Sequence, residues 1–483
     1  MPRPHPGVSL AESFDLIAIG GGTAGLVTAA GASYLGARAA LIERERLGGD
    51  CLWAGCVPSK ALVASAHAAQ LRRDAARLGM LGKARPVDFA EVMQSMRAAR
   101  DLVARHDDPA RFRALGVDVV TGAAEFVDAR TIRVGDRTLT APRIVLATGS
   151  LPAVPAIPGL AAAGYHTHRT IFDLERAPAS LAVIGGGPIG VELAQVFQRL
   201  GVPVLLLELQ PEILGGEDPD AAAVLRQALS ADGVTLHTGA TVLRVEPAAA
   251  GSTVVFRTAE GPEQRVVVDA ILVAAGRRPN IEGLGLDPIG VRASAHGIEV
   301  NPRLATSVRG IWAAGDVTGG MQFTHVADAQ ARLVVRNALT PFKARWDGRV
   351  VPRVTYTEPE LAQVGLTEKE AERSPGGIQV WRYDFAELDR AIVDRRPEGF
   401  VKLVATRRGR LLGATIVGAG AGNLIAPAVL ALQHGLSLGA LAGFIYPYPT
   451  MSEGILRAAT LSRRAALHSP GGRLLRWIVR LGL

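Results

Sequence analysis

One short unit occurs twice in this chain and limits the folds open to it. Phe14-Asp15-Leu16-Ile17-Ala18-Ile19 reads as a buried strand. It runs into Gly20-Gly21-Gly22-Thr23-Ala24-Gly25, an Ala-rich helix, and a second strand, Leu41-Ile42, that closes on Glu43. The same order returns at Leu181-Ala182-Val183-Ile184, with Gly185-Gly186-Gly187-Pro188-Ile189-Gly190, a helix to Leu200, the strand Val204–Leu207, and Glu208. In such a unit the first glycine (Gly20, Gly185) permits the tight turn and the second (Gly22, Gly187) lets a pyrophosphate approach the backbone. The third (Gly25, Gly190) lets helix and strand pack closely. The helix N-terminus attracts phosphate, and the acid about twenty residues on accepts hydrogen bonds from a ribose. A bare glycine pattern is weak, but the flanking strand, helix and acid make it specific. Two units imply an α/β chain with two Rossmann-like domains and two dinucleotides. At the second, Glu208 favours a free 2′-hydroxyl, and Leu209 and Gln210 offer no cation for a 2′-phosphate, so NADH is preferred over NADPH.

The stretch Leu47-Gly48-Gly49-Asp50-Cys51-Leu52-Trp53-Ala54-Gly55-Cys56-Val57-Pro58-Ser59-Lys60 holds the only two cysteines among 483 residues. Two thiols do not make a secreted disulfide framework, and no second Cys/His cluster completes a structural zinc site. What remains is a redox couple or two inert buried thiols. On a straight helix the two would stand roughly 7.5 Å apart along the axis, beyond disulfide reach, so the segment must bend. Gly48, Gly49, Gly55 and Pro58 supply the freedom to do so.

Elsewhere the chain reads as an ordinary globular protein. The net charge of +8, 53 basic against 45 acidic residues, is diffuse except near the C-terminus and does not indicate nucleic-acid binding. No run of roughly 18 uncharged apolar residues suggests a membrane span, and the leader Met1–Ser13 lacks the apolar core of a secretory signal. A reducing cytoplasm suits thiols that cycle. Helices are expected from about Pro58 to Arg77 and from Phe89 to Leu115. Strands are expected at Arg143–Leu146, Val234–Leu236, Val254–Phe256, Val266–Val273, Gly310–Ala313 and Val354–Thr357.

Taken in order, these motifs resemble those of the flavin-dependent pyridine nucleotide–disulfide oxidoreductases, the family of dihydrolipoamide dehydrogenase, glutathione reductase and mercuric reductase. The resemblance runs from about 14 to 465. It rests on the two glycine units, Gly-Gly-x-Cys-x4-Cys-x-Pro-Ser-Lys (Gly49 to Lys60), Ala147-Thr148-Gly149, Gly276-Arg277-Arg278-Pro279-Asn280 and Thr306 through Gly315-Asp316. It implies FAD on the first unit, a nicotinamide nucleotide on the second, and a homodimer. The implied domains are FAD-binding at 14–152 and 281–345, NAD(H)-binding at 153–280, and a C-terminal α+β dimerisation domain at 346–466. It also implies roles: Cys56 as the thiol facing the flavin, Cys51 as the interchange thiol, Lys60 and Glu192 as a pair at the flavin edge, and Asp316 as an FAD ligand.

The departures narrow the substrate. Disulfide reductases of the family end in His-Pro-Thr-x-x-Glu. Here the segment reads Tyr446-Pro447-Tyr448-Pro449-Thr450-Met451-Ser452-Glu453, with Tyr448 at the histidine position and Glu453 retained. A phenol with an ordinary pKa of about 10 is a poor base at neutral pH. Trp53 also replaces the usual small polar residue. Both argue against lipoamide or glutathione disulfide and toward mercuric-reductase-like proteins, yet a further C-terminal cysteine pair is missing. The reading is a FAD- and NADH-dependent oxidoreductase reducing a small acceptor: a soft metal ion, a quinone or a disulfide. The alternatives are a lipoamide-type reductase and a flavin/NADH sensor that signals through a partner. His166 and His168 are expected as hydrogen-bonded interface residues rather than metal ligands, and His325 in a backbone or packing role. The basic tail Gly471–Leu481, within 467–483, either lies on an anionic membrane surface or frays or packs on the dimer.

Overall fold

The computed structural model describes residues 11–75, 86–259 and 261–481. Two parallel sheets carry the two glycine units. The first runs Ile311–Ala313, Ile144–Leu146, Leu16–Ile19, Ala39–Glu43, Val117–Thr121. The second runs Thr235–His237, Val204–Leu207, Leu181–Ile184, Ala270–Val273. Leu16–Ile19 and Leu181–Ile184 are buried along their whole length, as continuous apolar runs in a sheet covered on both faces should be. Ile311–Ala313 pairs with Ile144–Leu146 in register, so the chain returns to the first sheet after completing the second.

A five-stranded antiparallel sheet follows, ordered Arg353–Thr355, Glu360–Gly365, Leu411–Gly418, Phe400–Thr406, Ile378–Asp384, with helix Glu453–Ala466 against it. Its core includes Phe385, Val401, Ile416 and Ile455. Lys402 fastens this sheet to the second parallel unit. Its Nζ sits 3.0 Å from Asp218, 2.7 Å from Asp220 and 2.9 Å from Glu368.

Three expectations need correction. The segment Phe89–Leu115 is not one helix but Phe89–Ala104, a 3-10 turn at Arg105–Asp107, and Pro109–Ala114. Asp108 caps the last by accepting from Ala110 N (2.7 Å), and Pro109 has no N–H to continue the earlier helix. Val266–Val273 is two strands, Glu263–Val268 and Ala270–Val273, in different sheets; between them Asp269 turns its carboxylate to Ala179 N. The helix after the cysteines starts at Cys56 and runs to Asp74; its expected end at 76–77, like residues 1–10 of the leader, lies outside the described residues. Glu12–Ser13, at the leader's end, pair with Leu139–Thr140.

Candidate active site

Both glycine turns are shaped as the sequence requires. Gly20 and Gly185 have φ of +109° and +114°. A Cβ on Gly25 would stand 1.7 Å from Gly20 O, and one on Gly190 would stand 1.9 Å from Gly185 O. A Cβ on Gly187 would meet open space. No side chain caps helix Thr23–Tyr34 or helix Pro188–Arg199, so their N-terminal N–H groups remain for a ligand. Glu43 accepts from Gly21 N (2.5 Å) and Glu45 N (2.7 Å). Glu208 accepts from Gly186 N and from Gln210 N (2.6 Å). A cavity of about 1930 Å³ runs past both glycine turns, both acids and both cysteines.

The cysteine segment bends where its glycines allow. Gly48 and Gly49 take φ of +102° and +58° and open the short helix Gly49–Trp53. At Gly55 a Cβ would press to 2.7 Å from Asp50 O, so the backbone folds back before Cys56 starts the long helix. The two thiols then lie within hydrogen-bonding reach. The Cys56 thiol is lowered to about 6, chiefly by the hydrogen bond from Cys51. Burial opposes this, while Thr324 and the Lys60 charge assist. Cys51 is pushed up by holding that proton toward Cys56 and by burial. Cys56 is therefore the thiolate, placed at a helix N-terminus, as a reactive cysteine requires. Thr324 Oγ1 lies 3.4 Å from Cys56 Sγ.

Lys60 and Glu192 come together as expected, at 2.8 Å. Glu192 is buried and also accepts from Tyr356 N (2.8 Å), while Lys60 Nζ lies 4.4 Å from the Tyr356 ring centre. Trp53 is held between two guanidinium groups, Arg46 at 3.8 Å and Arg100 at 5.3 Å from its ring, and donates to Leu47 O (2.7 Å). Thr148 and Gly149 are tied to the Gly276–Asn280 motif: Thr148 Oγ1 donates to Asn280 O (2.6 Å), and Asn280 N donates to Gly149 O (3.0 Å). Arg277 is the hub of a polar cluster. It donates to Asp50 (2.5 Å) and Ser150 Oγ (2.8 Å) and contacts His168 Nε2 (2.7 Å). Ser150 Oγ donates to Asp316 (2.6 Å), and Gly315 N donates to Gln330 (2.8 Å). Burial works against ionising Asp50, but His168 and Arg277 hold its carboxyl well below the usual range.

The C-terminal candidates Tyr448 and Glu453 do not line the cavity that holds the thiols. Tyr448 is exposed and donates to Asp389 (3.1 Å), a contact that raises its pKa above the ordinary phenol value. Glu453 is buried at the start of its helix, where Arg457 donates to it (3.2 Å). Its Oε2 and the Tyr446 hydroxyl find no hydrogen-bond partner among the described residues. Phe444 and Ile445 are exposed beside them.

Residues 14–331 match the model of the pyridine nucleotide-disulphide oxidoreductases, and residues 351–459 match that family's dimerisation domain. The chain belongs to this family. It is 36% identical over 448 residues to a mercuric reductase of Staphylococcus aureus, covering 92% of this chain and 82% of the other. It is 37% identical over 471 residues to a dihydrolipoyl dehydrogenase of Thermus scotoductus, covering 95% and 99%. The Cu(II) complex of the HOCl-induced flavoprotein disulfide reductase RclA from Escherichia coli superposes with a TM-score of 0.83 at 29% identity, covering 93% of this chain and 99% of that one.

As a pyridine nucleotide–disulphide oxidoreductase the protein belongs to an FAD-dependent group that uses pyridine nucleotides, and its residues fit both. Each glycine cradle leaves space that a Cβ would fill, each helix N-terminus is uncapped, and the thiols lie in the cavity that joins them. His166 and His168 turn to different partners: His168 lies 3.1 Å from Asp50, and His166 lies 3.3 Å from Thr170. His325 bonds Pro352 O and stacks on Phe323, in the backbone and packing role expected of it. The sequence reading missed Thr324, Tyr356, Ser150 and Asp50. Only Asp50 had a local signal, as a carboxylate between Gly49 and Cys51; the others reach the site from distant parts of the chain.

Proposed function

We propose that this protein is an NADH-dependent flavoenzyme that uses the Cys51–Cys56 couple to reduce a small acceptor, a soft metal ion or a quinone ahead of a bulky disulfide. The observation carrying this reading is the placement of the thiol pair: Cys51 and Cys56 line one cavity with two dinucleotide cradles, and Cys56 opens a helix 3.4 Å from Thr324 Oγ1, an environment that lowers its thiol pKa. Bound FAD supplies the two-electron relay between nicotinamide and sulfur. The Gly20 turn and Asp316 would hold FAD, and the Gly185 turn would hold the nicotinamide nucleotide, with Glu208 placed to repel a 2′-phosphate. The oxidised Cys51–Cys56 disulfide takes two electrons and one proton from NADH to become the Cys51 thiol and the Cys56 thiolate, releasing NAD⁺. The reduced pair hands the electrons on and closes again. Cys51 meets the acceptor and gives up its proton as the disulfide closes, to a quinone or, with a metal ion, to water, while Lys60, paired with Glu192, lies near the Cys56 thiolate.

The substrate class follows from Tyr448. Tyr448 stands at the position of the family's histidine, with Glu453 retained five residues on. A phenol raised by Asp389 cannot serve as the base that a dithiol–disulfide exchange needs. Soft metals favour a dithiolate site, which suits the likeness to mercuric reductase and to a protein solved with Cu(II).

The test is steady-state NADH consumption with a panel of Hg(II), Cu(II), quinones and lipoamide. Rapid turnover is expected with a metal ion or quinone and negligible turnover with lipoamide; fast lipoamide reduction overturns the substrate assignment. Cys51→Ser keeps bound flavin and loses acceptor turnover. A single reductive event with every acceptor would instead indicate a sensor. NADPH is expected to give a kcat/KM at least about tenfold below that of NADH.

A further inference from the structure

The C-terminal helix Pro470–Arg480 exposes an apolar face that its own chain leaves uncovered. Ser469 opens it by accepting from Gly472 N (3.2 Å), with Pro470 in the first turn. Leu474, Trp477, Val479 and Leu481 are each more than half exposed. Leu474, Trp477, Ile478 and Leu481 follow the spacing i, i+3, i+4, i+7 of one helix face, while Arg473, Arg476 and Arg480 fall together on the adjoining one. An 11-residue helix is marginal alone in water, so this face needs an occupant.

Charge decides what that occupant is. From Gly454 to the last residue there is no Asp or Glu, but there are six arginines: Arg457, Arg463, Arg464, Arg473, Arg476 and Arg480. We propose that helix Pro470–Arg480 docks on an anionic phospholipid surface, with Leu474, Trp477 and Leu481 in the acyl boundary and the arginines among the headgroups. A basic amphipathic helix with a tryptophan on its apolar face fits that interface. A nucleic acid would neutralise the arginines but leave Trp477 and the leucines in water. A second copy of the same helix would bring like charges together. No helix among the described residues is long and apolar enough to cross a bilayer, so the contact is peripheral. It does not depend on which acceptor the thiols serve.

Flotation of the full-length flavin-loaded protein with vesicles tests this. With phosphatidylcholine vesicles containing about 30 mol% phosphatidylglycerol the protein is expected to float. With pure phosphatidylcholine, and in the variant Arg473→Gln/Arg476→Gln/Arg480→Gln, binding falls about 100-fold. Trp477→Ser weakens it about tenfold, and about 0.5 M salt releases it. NADH–ferricyanide turnover is unchanged in these variants, which excludes misfolding. Protein that stays unbound with the anionic vesicles overturns the proposal, as does a triple variant that floats like wild type. Variants that alter only the mass by light scattering also overturn it, because the helix then seats on another copy.

Discussion

Thr324 Oγ1 lies 3.4 Å from Cys56 Sγ, although 268 residues separate them in the chain. The hydroxyl opens helix Thr324–Leu339 and meets a thiol that opens helix Cys56–Asp74, so two helix N-termini converge on one sulfur. Both favour the thiolate.

Thr324→Val removes that hydrogen bond and leaves the volume nearly unchanged. In a Cys51→Ser background, which isolates one thiol, the midpoint for alkylation of Cys56 should move up by about 1 pH unit. The pH dependence of iodoacetamide labelling in the reduced protein reads this directly, and an unmoved midpoint refutes the role given to Thr324.

Lys60→Ala leaves the buried Glu192 carboxylate with only the Tyr356 N–H for compensation. Because Lys60 is itself one-third exposed, the loss is expected at about 2 kcal/mol rather than the full value for a buried pair. Glu192→Gln added to Lys60→Ala should recover most of it. Urea denaturation of the flavin-loaded protein measures both; a double variant no better than the single one rejects the pairing.

Asp50 gives a pH signature. His168 and Arg277 hold its folded-state pKa below the unfolded value of about 3.9. A depressed carboxyl stabilises the fold above its unfolded pKa, and that stabilisation fades as pH falls through the folded pKa. Thermal stability should therefore decline below about pH 4, and the decline should be shallower in Asp50→Asn. Parallel acid limbs for the two proteins would exclude Asp50 as a contributor.

Lys402 sits among Asp218, Asp220 and Glu368, with both Lys402 and Asp218 buried. Lys402→Met takes the lysine from the buried Asp218 carboxylate, leaving the Asp220 N–H on it, and should cost about 3–5 kcal/mol, whereas the exposed Asp220 keeps Arg382. Wild-type Asp220, lowered by Lys402, keeps its stabilisation until the pH falls below about 4, whereas the variant gains when its carboxylates take up protons. Melting temperatures from pH 7.5 down to about 5 should bring the two proteins closer together. A gap that stays constant would mean that the carboxylates are not the source of the loss.

The order of strand, glycine turn, helix and acid was legible at both sites, because each glycine is required by its own immediate backbone: Gly25 by the carbonyl of Gly20, Gly190 by that of Gly185. The bend between Cys51 and Cys56 was legible for the same reason, since Gly48, Gly49 and Gly55 lie within the segment they shape. The break at Pro109 and the split at Asp269 went unread because apolar periodicity continues across both, while one missing N–H and one turned carboxylate decide them.

By itself, then, the sequence determined which backbone turns form and which residue types meet a dinucleotide, since those demands are local and steric. Only the tertiary structure decided which thiol carries the charge. That depends chiefly on the contact with Cys51 that the bend creates, and then on Thr324 and Glu192, which arrive from two other helices, because electrostatic interactions depend on distance in space rather than on separation along the chain.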